Sequence, residues 1–148
     1  MTFPRPRRLT PPAAPGALLK TFAPPAPRPR KDEAERDRDY LGQVRECPCL
    51  KCGLDPCGEA AHVRFASAAF GKASGMGKTP PDKFALPVCG DDHRVAKTAQ
   101  HNRNEHEFWN ELGINPLITA AQLYAQRGDL VAMRAVIFST IANRGGTR

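Results

Sequence analysis

The 148-residue sequence has no apolar run of the ~18 residues that a transmembrane helix needs, so no membrane association is expected. The basic start MTFPRPRRLTPP has no apolar core after it, which predicts that no secretory signal is present. Residues 1–30 contain no Asp or Glu, and no segment repeats elsewhere in the chain. The stretch GKASGMGKTPPD (71–82) also lacks a complete phosphate-binding P-loop. The position that must be glycine is Lys72, Gly71 is one residue too far, and Pro-Pro-Asp stands where a helix should start. ATP binding is therefore not expected. Without a signal, the five cysteines belong to a reducing, cytoplasmic setting, where clustered thiols serve metals more often than disulfides.

The charge that is present is unevenly placed. The net charge is +7, and residues 1–30 alone hold six Lys/Arg. Residues 62–103 add seven Lys/Arg against three Asp. Two basic segments in one small chain make a polyanionic partner the simplest reading. Nine of the fifteen prolines also fall in 1–30, which forbids helix and central strand there. The expected organisation is a disordered basic Pro-rich tail over 1–30, a folded domain with a lead-in helix over 31–127, and a C-terminal helix and tail over 128–148.

The chemistry concentrates between Cys47 and His101, which hold all five cysteines and three of the four histidines. Cys49-Leu-Lys-Cys52-Gly53 has the form of a zinc knuckle. Its two-residue spacer lets both thiolates reach one tetrahedral ion, and the glycine permits the turn beneath. Cys89 supplies a third thiolate. Three residues on, where a second knuckle would carry cysteine, stands Asp92. The fourth ligand is left open among Asp92, Cys57 and His93, and Cys47 is surplus.

Around these residues the pattern predicts an α+β fold. A helix is expected over 31–46, with acids at its start and Arg45 near its end, matching the helix dipole. Residues 60–65 and 83–88 read as strands. Asp91 or Asp92 can cap a helix carrying His93, Lys97 and His101 on one face. If that helix is continuous, His101 lies roughly 12 Å along the axis from His93 and the two cannot share a metal. Asn115 as N-cap and Pro116 as first residue start another helix, and Gly128-Asp129 breaks it before a last apolar helix over 130–143. Lys72 and Lys78 sit in the Gly/Lys loop, where they are expected near a phosphate chain.

The order CxxC, Ala-His strand, Gly/Lys loop, strand, Cys-then-His, helix resembles the HNH, or ββα-metal, nucleases. More narrowly it is similar to the Ref-like and YbcO-like prophage nucleases that act with RecA. The residues carrying the likeness are Cys49-Leu-Lys-Cys52-Gly53, Glu59-Ala60-Ala61-His62-Val63-Arg64, Gly75-Met76-Gly77-Lys78, Pro81-Asp82-Lys83, Leu86-Pro87-Val88-Cys89, His93, Gln100-His101 and Phe108-Trp109. The resemblance implies a small zinc-stapled, treble-clef-like ββα-metal core with flanking helices. It implies metal-dependent hydrolysis of DNA phosphodiester bonds, a structural Zn²⁺, a catalytic Mg²⁺ or Mn²⁺, and a RecA–DNA filament as partner. His62 stands at the general base and His93 at the ligand of the catalytic ion. Asp82 stands at the position that orients the base, and His101 is marked as a further ligand. Arg64, Lys72, Lys78 and Lys97 are the expected phosphate contacts. Two residues depart from the pattern: Ala61, where many HNH enzymes carry a metal-binding Asp or His, and Asp92. They support the alternative of a non-catalytic zinc-finger module that binds DNA or protein.

Overall fold

A computed structural model describes residues 36–73 and 79–144; the tail over 1–30 and Lys78 lie outside the described residues. The fold is small and α+β. Helix α1 (Arg38–Arg45) leads into the cysteine knuckle. A two-stranded antiparallel hairpin follows, β1 (Ala60–His62) with β2 (Ala85–Pro87), paired as Ala60 with Pro87, Ala61 with Leu86 and His62 with Ala85. Three helices close the chain, α2 (Glu105–Glu111), α3 (Pro116–Ala125) and α4 (Leu130–Ala142). No helix among the described residues is long and apolar enough to cross a membrane.

Side-chain caps set the helix starts. Asp37 accepts a hydrogen bond from Tyr40 N and caps α1, which starts at Arg38; residues 31–35 of the expected helix lie outside the described residues. Asn115 accepts from Leu117 N and Ile118 N with Pro116 behind it, which is the predicted start of α3. Asp129 accepts from Ala132 N and starts α4. Both predicted strands are shorter than expected. Residues 82–84 form a 3₁₀ turn ahead of β2, and β1 ends at His62. Helix α2, around Phe108 and Trp109, was not foreseen.

One core joins these elements. Tyr40 and Val44 of α1, Ala61 of β1, Leu86 of β2, Trp109 of α2, Leu123 of α3 and Met133 and Ile137 of α4 all bury in it. Cys47 and Cys57 belong to the same core. Burial pushes the Cys47 thiol up to about 11 and the Cys57 thiol up to about 12. The knuckle is tied to this frame from both sides. Leu50 N donates to Pro87 O at 2.9 Å, and Arg144 beyond α4 donates to the carbonyls of Leu50 and Lys51.

Tyr40 binds α1 to the hairpin through its hydroxyl, which donates to Ala85 O at 3.0 Å inside the core. Tyr40→Phe strips that donor from a buried carbonyl and should cost about 1–3 kcal/mol. Thermal denaturation measures this; a Phe variant as stable as wild type would show that the bond contributes nothing.

Candidate metal centre and active site

The knuckle turn is built by backbone bonds that the sequence permits. Cys49 N donates to Leu54 O at 2.8 Å and Gly53 N to Cys49 O at 2.9 Å. Gly53 takes φ +77°, which L side chains rarely adopt. This turn aims Cys49 and Cys52 at Cys89, just past β2, and at Asp92 in the short π-helical turn Asp91–Val95. The ligand atoms of Cys49, Cys52, Cys89 and Asp92 all lie within 4.8 Å of one another and can hold a metal ion.

The spacing suits a tetrahedral ion. With Zn–S near 2.3 Å and Zn–O near 2.0 Å, neighbouring ligand atoms should be about 3.5–3.8 Å apart. Cys52 Sγ and Cys89 Sγ are 3.5 Å apart, and Asp92 Oδ2 is 3.3 Å from Cys89 Sγ and 3.9 Å from Cys49 Sγ. The other carboxylate oxygen of Asp92 is 2.9 Å from Lys51 Nζ. Burial acts to raise the Asp92 carboxyl, but the hydrogen bonds from Lys51, Cys89 and Cys52 outweigh it and hold the group below the usual carboxylate range. Burial pushes the Cys89 thiol up to about 12. Three thiolates and a carboxylate this close need a cation to be charged together.

The other two candidates for the fourth ligand lie elsewhere. Cys57 Sγ turns inward and donates to Glu59 O at 3.0 Å and Val44 O at 3.4 Å. His93 is held by Glu59, whose Oε2 is 2.7 Å from its Nδ1. Hairpin and turn thus separate the roles: Asp92 faces the thiols, and His93, one residue on, faces the hairpin.

Two histidine–carboxylate pairs flank β1. At its end, His62 Nε2 is 3.0 Å from Asp82 Oδ1. Asp82 is 1% exposed and also accepts from Asp37 N at 2.8 Å, with Arg36 Nη1 at 3.5 Å. At the other end, Glu59 joins His93 and the Arg94 guanidinium. Arg94 above all, with help from His93, holds the Glu59 carboxyl below its usual range, against the effect of burial. Glu59 had been given no role from the sequence. An acid just before the Ala-Ala-His strand was the available signal.

The helix expected from Asp91 through His101 does not continue. Ala96 leaves the π-helical turn with ψ 149°, and residues 100–102 form a separate 3₁₀ turn. The Asn102 amide donates to Arg94 O at 2.9 Å and Ala96 O at 2.8 Å, capping carbonyls that a longer helix would have bonded itself. The break folds His101 back on His93, with ring centroids 4.5 Å apart and planes at 82°. Burial, then the nearby Arg64 and His93, pull the His101 pKa down and favour its neutral form. Gln100, fully buried beside it, donates to His62 O and Glu105, and its own Oε1 has no partner among the described residues.

The expected phosphate contacts fare unequally. Lys72 is 3% exposed, its ammonium donates to Phe65 O and it lies 5.7 Å from the Phe84 ring centroid. Paired backbone bonds between Ser67 and Lys72 fold the loop back and carry the side chain inward, so Lys72 is not a surface phosphate contact. Arg64 and Lys97 are exposed. No family model, curated protein or solved structure matches the chain.

Proposed function

We propose that the chain is a metal-dependent endonuclease that hydrolyses DNA phosphodiester bonds. It would be an HNH-type, ββα-metal enzyme with a structural zinc on Cys49, Cys52, Cys89 and Asp92. The observation that carries this reading is the 3.0 Å contact of His62 Nε2 with buried Asp82, made by a histidine outside the thiol cluster. A carboxylate facing Nε2 accepts a hydrogen bond from its N–H, which keeps the proton on Nε2 and leaves the Nδ1 lone pair free to accept a proton from an attacking water.

His93 suits a different task. Its Nδ1 faces Glu59, which fixes the ring and leaves Nε2 as the ligating atom, as in most metal-bound histidines with a carboxylate behind them. His101 stands edge-on beside it. A Mg²⁺ or Mn²⁺ held there would stabilise charge on the scissile phosphate and the leaving oxygen. Arg64 and Lys97 supply exposed positive charge to the same substrate. A RecA–DNA filament as the partner belongs to this proposal through the HNH resemblance alone.

A second reading, a zinc-finger module that binds DNA or protein without cutting, is favoured by one observation. Ala61, directly before His62, is fully buried and offers no ligand. Supercoiled plasmid separates the two. Wild-type protein should nick it only with Mg²⁺ or Mn²⁺, and His62→Ala should lower the rate by about 10²–10⁴. Tight DNA binding with equally negligible cleavage by both proteins would sink the enzyme and leave the binding module.

A further inference from the structure

A cleft of about 1090 Å³ opens at Asp82, the carboxylate that holds His62. Among the described residues it is lined by Arg36, Arg38, Leu41, Arg45 and Asp82. Three of these five are arginines, all from α1 or the residues just before it. The lone acid is already engaged by His62, Arg36 and Asp37 N. Small-molecule pockets are mostly apolar and run to about 300–1,000 Å³, so this lining suits a polyanion better.

Helix geometry explains why the arginines gather there. Arg38 and Arg45 are seven residues apart, about two turns, and so share one face. Tyr40 and Val44 occupy the buried face. Asp39 lies about 100° around the helix from Arg38, and Asp37 is turned to its capping bond and to the Tyr124 hydroxyl. The side chains of Arg38 and Arg45 make no ion pair among the described residues, whereas Arg94, Arg103 and Arg134 each pair with a carboxylate. Arg36 is half-engaged: its side chain is 44% exposed and its Nη1 lies 3.5 Å from Asp82 Oδ1.

We infer that the α1 arginine face is the main DNA-backbone track of the site, with Arg38 and Arg45 contacting phosphates and Arg36 reaching the one next to His62. This inference rests on the nuclease reading and adds where the substrate lies. Of the expected contacts Arg64, Lys72, Lys78 and Lys97, two belong to the Gly/Lys loop. Lys72 is buried there, and α1 supplies the charge in its stead.

Each phosphate contact should contribute about 0.9 to the slope of log K against log salt on duplex DNA. The test uses full-length, zinc-loaded protein carrying His62→Ala, without Mg²⁺ or Mn²⁺, and a fluorescent duplex read by anisotropy. Arg38→Gln with Arg45→Gln should flatten the slope by about 1.8. Between 50 and 200 mM salt the parent would then lose about twelvefold more affinity than the double variant. Arg127→Gln, an exposed arginine at the end of α3, should leave the slope unchanged. Melting temperatures of all variants check folding.

An unchanged slope in a folded double variant overturns the α1 track, and plasmid nicking by the wild type then shows that the nuclease reading survives. An equal loss with Arg127→Gln also overturns it, since net charge alone would explain the effect. Absence of salt-dependent DNA binding by the parent overturns both. An RNA duplex run in parallel tests the substrate: a slope change on RNA alone overturns the assignment to DNA.

Discussion

If the thiol cluster holds the structural zinc proposed above, removing it should unfold the protein. The four ligands come from three places, the knuckle after α1, the end of β2 and the turn beyond it. Without a cation, nothing offsets the repulsion of their charged forms, and their protonated forms lose the bonds that join these places. Structural zinc contributes about 10–16 kcal/mol of apparent free energy in small domains. A whole domain is stable by only about 5–15 kcal/mol. A strong chelator should therefore abolish the cooperative melting transition, and returned Zn²⁺ should restore it. Cys89→Ser should mimic the chelator. Asp92→Asn keeps three thiolates and should bind zinc more weakly while still folding when zinc is in excess. Metal analysis of purified protein beside calorimetry checks all three. Protein that carries no zinc and melts identically with and without chelator would remove the metal centre from the account.

On the nuclease reading proposed above, Asp82→Asn should cost about as much as loss of His62, roughly 10²–10⁴ in nicking rate. The reason is the proton on the histidine. Asp82 accepts from His62 on one oxygen and from Asp37 N on the other. An amide offers one acceptor and one donor. With its oxygen kept on Asp37 N, its NH₂ faces His62, which then must accept at Nε2 and carry its hydrogen on Nδ1. The lone pair needed by the water is lost although the fold persists. Asp82→Ala is harsher in a different way. It leaves the partly buried donors His62 Nε2 and Asp37 N unpaired, at a cost of about 1–3 kcal/mol. The two variants should therefore separate: Asn inactive and folded, Ala inactive and markedly less stable. Asn with near-wild-type nicking would show that Asp82 holds α1 to the hairpin and does nothing for His62.

Much of the framework was readable because its causes are local. Asn115-Pro116 and Gly128-Asp129 mark helix ends by side-chain capping and backbone freedom, and α3 and α4 start where those residues stand. Cys49 and Cys52 were readable as a ligand pair because a two-residue spacer with glycine behind it suits one tetrahedral ion, and Cys89 as the third thiolate completing it. The candidate site was only partly legible. Asp92, Cys57 and His93 were equal contenders for the fourth ligand by spacing. The choice follows from the hairpin, which turns Cys57 into the core and Glu59 toward His93.

His101 shows the same limit. Helical periodicity put it far from His93, but the chain leaves the π-helical turn at Ala96, the Asn102 amide caps the Arg94 and Ala96 carbonyls, and the rings meet. Lys72 has the composition of a loop contact, yet its pairing with Ser67 takes it inside. Residue type and short spacing determine which groups this chain has for chemistry and where its helices can begin. Which carboxylate meets which histidine, and which arginines face the cleft, are long-range pairings. They depend on the register of Ala60–His62 against Ala85–Pro87 and on α1 docking beneath it, and only the folded chain sets those.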